Sequence, residues 1–175
     1  MVETAPYTFK PIRHNQIRLL KFVQGKSSIS AVLEAFSVEQ SLPPYHALTY
    51  TWASETADPT KSSMLEIDNR MFPVLDSLWP FFETLRSKSM LLDGRWWWID
   101  SICINQADFE ERRHQVQLMH LIYRQAEQVI VWLGEPSSDS GLAMNFVRFL
   151  DKTTRRKLSV AEVRAMLQED HDRTR

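Results

Sequence analysis

A chain of 175 residues is about one domain's worth of polypeptide, enough to bury a single substantial core. Its 43% apolar and 25% charged residues point away from disorder, and no apolar run approaches the ~20 residues of a membrane helix. A net charge of −1, a lone cysteine (Cys103) and only four scattered glycines argue against general nucleic-acid affinity, an internal disulfide, a cysteine-based zinc site and a glycine-rich phosphate loop.

The opening MVETAPYTFK lacks the apolar stretch of a secretory signal, and with the single thiol this predicts a cytoplasmic protein. Ile17 to Val23 and Ile29 to Val38 are apolar, β-branched-rich runs around a short polar turn containing Gly25, which predicts a β-hairpin. After Pro43-Pro44, the uncharged aromatic run Tyr45 to Trp52 reads as a strand buried on both faces. Met64 to Asp68 and Met71 to Val74, around Asn69-Arg70, read as a second hairpin. Leu75, Leu78, Trp79, Phe82 and Leu85 follow with the spacing of an amphipathic helix. Pro80 must lie in its first turn, which predicts Asp76 or Ser77 as the cap.

The consecutive Trp96-Trp97-Trp98 open a run to Ile104 that reads as a central strand with its side chains alternating between two covered faces. Asp108 with Glu111 three residues on predicts a capping box at the start of a helix whose inner face carries Val116, Met119, Ile122, Tyr123 and Ala126. Gln128 to Leu133 then reads as another buried strand, ended by Gly134-Glu135-Pro136, and Leu142 to Leu150 and Val160 to Gln168 read as further helices. A strand, a long helix and a second strand cannot be joined as a hairpin, so 96–133 predicts a βαβ unit with parallel strands. The fold class expected is a three-layer α/β domain decorated with hairpins.

Tyr45-x-Ala47-Leu48-Thr49-Tyr50-x-Trp52, Trp98-Ile99-Asp100-Ser101-Ile102-Cys103-Ile104-Asn105-Gln106, Glu111-Arg112-x-x-Gln115-Val116, Ile122-Tyr123-x-x-Ala126 and Trp132-Leu133-Gly134, together with the lead-in Ile17-Arg18-Leu19-Leu20, resemble the fungal heterokaryon-incompatibility (HET) domain in order and spacing. Ala53 and Asp76 depart from it, standing where the family usually has glycine and asparagine. The resemblance implies an N-terminal extension over 1–15, the domain over 16–150, and a helical extension over 151–175 leading into a longer protein. It also implies a flavodoxin-like, TIR-like fold with a central parallel sheet, and a role in nonself recognition and regulated cell death. TIR-type domains include enzymes that hydrolyse NAD with a key glutamate; the alternative role is a non-catalytic oligomerisation module that recruits death effectors. On this reading NAD is a substrate and no cofactor is required, and the partners are further copies of the chain and incompatibility proteins.

Ligands of an open parallel sheet bind beyond the carboxyl ends of its strands. Splitting a nicotinamide–ribose bond needs a carboxylate to stabilise an oxocarbenium-like sugar, and an aromatic wall. Candidate acids are Glu135, past the last strand or simply a turn residue; Glu111, acid or cap; and Asp100, lining a polar pocket or anchoring loops. Tyr50 and Trp52 are stacking or core residues, Asn105 and Gln106 contact a ligand or hold a loop, and Arg112 binds an anion or forms a surface ion pair. Cys103 reads as an inert buried thiol, and His114 and His120, six residues apart on one helix, cannot share a metal. No metal site is predicted.

Overall fold

The computed structural model describes residues 3–24, 29–52 and 63–134, all within one compact unit, Met1–Gly134. The expected helices at 142–150 and 160–168, and with them Glu135, lie outside the described residues.

The elements in chain order are β1 (Glu3–Pro6), β2 (Gln16–Val23), β3 (Ser30–Ser37), β4 (Tyr45–Tyr50), β5 (Ser63–Ile67), β6 (Arg70–Val74), α1 (Trp79–Ser87), β7 (Trp96–Ile99), α2 (Asp100–Cys103), α3 (Phe109–Gln125) and β8 (Gln128–Trp132). The strands form one sheet ordered β1-β6-β5-β3-β2-β7-β4-β8. Both predicted hairpins are present: β2 pairs antiparallel with β3 over its whole length, and β5 with β6. The second turns at Asp68 and Asn69, both with positive φ, a conformation that short polar side chains tolerate and that matches the twist of a two-residue hairpin.

The sheet is mixed, so the expectation of a central parallel sheet is corrected. Parallel pairing of β7 and β8 with β4 is confined to one end of the sheet, and the hairpins supply antiparallel pairs elsewhere. The α/β class holds, and the βαβ unit exists with a modification: β4 lies between β7 and β8, so α3 crosses over a strand. Short hairpin turns forced the antiparallel pairs β2–β3 and β5–β6, whereas long connections left the others free, so β7 runs antiparallel to β2 but parallel to β4, and β8 also runs parallel to β4.

Alternation along β7 buries both Trp97 and Trp98 completely and sends them to opposite faces. Trp97 meets Phe81 of α1 edge-on at 5.5 Å, and Trp98 meets Tyr123 of α3 at 5.5 Å, so a helix covers each side of the strand. Such pairs contribute about 0.5–1.5 kcal/mol beyond the area they bury. Trp96, only partly buried, lies against Phe36 and under the Lys21 ammonium.

Four local expectations are corrected, the first that β8 is buried: it is an edge strand of the sheet with Val129 and Val131 exposed. The run 96–104 is not one strand: it ends at Ile99, and Asp100–Cys103 form a helical turn closed by Ile104 N–H on Asp100 O. The Asp100 carboxylate accepts the Ser101 N–H, a local bond that competes with a strand ladder, while Ile102 and Cys103 still reach the core. Helix α1 starts at Trp79 with Leu78 as N-cap and no side-chain cap; Ser77 Oγ instead donates to Trp52 O. On α3 Ile122 is buried as expected, but the other buried residue is Gln115, whose Nε2 donates to Gln16 O at 2.7 Å, and Val116 is exposed.

Candidate functional site

The register of β4 against β7 pairs Leu48 with Ile99, so the residues just past each, Tyr50 and Trp52 on one strand and Asp100 and Ser101 on the other, arrive at the same carboxyl end. They are linked there by hydrogen bonds. Trp52 Nε1 donates to both Asp100 oxygens, at 3.2 and 3.0 Å. Tyr50 Oη donates to Ser101 Oγ at 2.6 Å, Ser101 N–H donates to Asp100 Oδ1 at 2.7 Å, and Gln106 Nε2 donates to Asp100 O at 3.0 Å.

Burial sets the electrostatics of this cluster. It pushes the Asp100 carboxyl above its ordinary range, against the opposing pull of the Ser101 N–H and the Trp52 indole. Burial also raises the Tyr50 hydroxyl, which the Ser101 bond lowers and the Asp100 charge raises further. Tyr123 on α3 is raised by burial and then by Asp100, and is lowered by its bond with Thr49 of β4. Trp52 remains 45% exposed, with its indole N–H engaged and much of its ring surface free. Together these groups present a carboxylate and an aromatic surface side by side.

Glu111 stands elsewhere. Both its oxygens face the guanidinium of Arg18, with Nη1 to Oε1 at 2.6 Å and Nη2 to Oε2 at 2.9 Å. Arg18 is 2% exposed and also donates to Cys103 O and Lys10 O, while Glu111 Oε1 accepts Asn105 N–H at 2.7 Å. The expected capping box is therefore half made: Asp108 accepts the Glu111 N–H, but the Glu111 side chain turns inward to Arg18 rather than back to the cap. A buried guanidinium must be paired, and that requirement outweighs a surface cap. The staple holds the loop after α2, and this loop delivers Gln106 to Asp100.

Of the other candidates, Asn105 Oδ1 accepts the Ala107 N–H within its own loop, and Arg112 is exposed over the Phe109 ring, apart from the Asp100 cluster. Glu135 lies outside the described residues. Sequence reading missed Arg18, Ser101 and Tyr123 as members of these networks. Arg18 carried a signal, a single charge between Ile17 and Leu19 in a buried strand; Tyr123 carried none beyond its place on an apolar face. Among the described residues no group of three His, Cys, Asp or Glu side chains is arranged to hold a metal, and no helix is long and apolar enough to cross a membrane.

Comparison with known proteins agrees with the motifs. Residues 45–175, more than half of the chain, match the family model "Heterokaryon incompatibility protein (HET)". The chain is also 37% identical over 122 residues to heterokaryon incompatibility protein 6, OR allele, of Neurospora crassa, a stretch that covers 63% of this chain and 18% of that relative. The chain thus spans a small part of the length of the relative it matches. No solved structure matches it. The motif blocks and the family match agree, and this chain belongs to the heterokaryon incompatibility (HET) family.

Proposed function

We propose that this domain is the cytoplasmic signalling part of a heterokaryon-incompatibility protein and that it triggers cell death by hydrolysing NAD in a TIR-like manner at the Asp100 cluster. The observation that carries the reading is the Trp52 indole held on both oxygens of Asp100, at the shared carboxyl end of two parallel strands. That is the place where α/β sheets bind ligands, and the pair supplies the carboxylate and the aromatic wall the chemistry asks for.

In this reaction the bond between ribose C1′ and the pyridinium nitrogen breaks, and its electron pair leaves with nicotinamide and neutralises the ring. Water attacks C1′ of the oxocarbenium-like sugar and releases a proton to solvent, giving ADP-ribose. The Asp100 carboxylate stabilises the developing positive charge, which a partly desolvated carboxylate does more strongly than a solvated one. Trp52 stacks on a ring of the nucleotide, Tyr50 and Ser101 keep the carboxylate's neighbourhood fixed, and Gln106 holds the backbone of its turn. Glu111 acts as the staple to Arg18, not as the acid. Glu135 is the alternative acid.

The test is nicotinamide release from NAD by the purified chain at increasing protein concentration, beside Asp100→Asn, Glu135→Gln and Trp52→Phe. The reading expects turnover in the parent and a loss of at least a hundredfold in Asp100→Asn with the fold intact. Loss only in Glu135→Gln would move the acid to that residue.

A second reading, a non-catalytic module that self-associates and recruits protein partners, has its own support. Strand β8 lies at the end of the sheet with Val129, Val131 and Leu133 at 44%, 60% and 79% exposure, an uncharged apolar row of the kind that pairs with other chains. Absence of turnover in every assembled state would favour it.

A further inference from the structure

The segment before β2 and the first turns of α3 bring two histidines into contact. His14 and His114 lie edge to face, with ring centroids 3.9 Å apart and planes inclined at 75°. Both line a hollow of about 170 Å³ whose wall also contains Asp108, Glu110, Glu111 and Gln115.

The acids around the hollow are already engaged. Asp108 caps α3, Glu111 holds Arg18, and Glu110 pairs with Arg113 at 3.1 Å. Neither imidazole forms a hydrogen bond or ion pair among the described residues. Gln115 is 1% exposed, and its Oε1 is buried without a hydrogen-bond partner while Nε2 is spent on Gln16 O. A native fold rarely leaves a buried acceptor unmet beside a hollow.

Two imidazoles in contact offer two nitrogen lone pairs. Zinc–imidazole bonds run about 2.0–2.1 Å, so two nitrogens on one metal sit roughly 3–3.5 Å apart, which the edge-to-face rings reach by moving apart and turning until both lone pairs face one point. Arg13 also lines the hollow, and Glu110 and Glu111 are paired with Arg113 and Arg18, so the imidazole nitrogens rather than an excess of carboxylates would hold the metal. We propose that His14 and His114 form a divalent transition-metal site that clamps the segment before β2 onto α3. The remaining coordination positions are taken by water, for which the Gln115 oxygen is a suitable acceptor. Nitrogen ligands select zinc, nickel or copper over magnesium and calcium, which prefer oxygen.

The experiment is thermal unfolding of the untagged full chain with zinc or nickel added and then removed by a chelator. At a tenfold excess of metal over Kd the midpoint rises by about 5 °C, and magnesium leaves it unchanged. His14→Ala and His114→Ala each abolish the shift, whereas His120→Ala, altered on the same helix at an exposed ring bonded to Gln117 O, retains it. No shift at millimolar zinc, an equal shift with magnesium, or a shift that survives His14→Ala overturns the proposal. Should His114→Ala fail to fold, calorimetric zinc titration decides: one site per parent chain and none in His14→Asn supports the clamp, and unchanged binding in His14→Asn refutes it.

Discussion

Replacing Glu111 by glutamine tests whether the Arg18 ion pair or the helix cap explains this residue. As a cap residue it would matter by about 1 kcal/mol, because an N-terminal box contributes little beyond that. The structure implies more. Arg18 is 2% exposed, and among the described residues Glu111 supplies its only two charged contacts, at 2.6 and 2.9 Å, while also accepting the Asn105 N–H. Glutamine keeps one acceptor but turns an amide NH₂ toward guanidinium donors and leaves a buried cation without a counter-charge. Removing one partner of a buried pair costs about 3–5 kcal/mol. For a unit of this size that corresponds to a fall in Tm of roughly 10–15 °C. Urea unfolding should show a lower midpoint with an unchanged slope, since the native surface is not altered. The double variant Arg18→Met/Glu111→Leu should recover only part of the loss, because an apolar pair needs no counter-charge but leaves Cys103 O, Lys10 O and Asn105 N–H without these partners. A cost below about 1 kcal/mol for Glu111→Gln would refute the reasoning and return the residue to a capping role.

Asp100→Asn should leave stability at pH 7 unchanged or raise it by up to about 1 kcal/mol. Burial raises this carboxyl, so its ionised form is the one that disfavours the fold, and a loss above 1 kcal/mol in urea unfolding would contradict that. His46 is buried, with Nδ1 unpartnered, and its affinity for a proton is lowered first by burial and then by Arg95, against Glu127 and Asp93. The unfolded chain therefore takes up a proton that the native chain refuses as pH falls through the ordinary histidine pKa of about 6.5, and stability declines below that pH. His46→Gln should flatten the stability profile between about pH 5 and 7; an identical slope would show that another group titrates. Trp97→Ala should cost about 3–5 kcal/mol and Trp96→Ala far less, since only the first is wholly enclosed; equal losses in thermal unfolding would overturn the assignment of faces.

Much of the architecture was legible because it depends on local periodicity. The hairpins at 17–38 and 64–74, the helix after Asp108 and the opposite-facing Trp97 and Trp98 follow from alternation, turn residues and helical spacing. The candidate site was half legible. Tyr50, Trp52, Asp100 and Gln106 were singled out by type and position at strand ends, and the structure bonds Trp52 and Gln106 to Asp100. The break at Ile99 was not legible, since a strand followed by a helical turn can be as continuously apolar as one long strand.

The sequence by itself determined the family, the α/β class and most of the buried stretches, because each depends on motif order or on the period of apolar residues; β8, expected buried, is instead exposed along Val129 and Val131. Only the tertiary structure decided that β4 lies between β7 and β8, that Glu111 answers Arg18 of β2 rather than its own cap, and that His14 meets His114. These are contacts between residues far apart in the chain. They are set by where a buried charge finds its partner and by how long connections let strands be ordered, and neither leaves a periodic trace in the residues themselves.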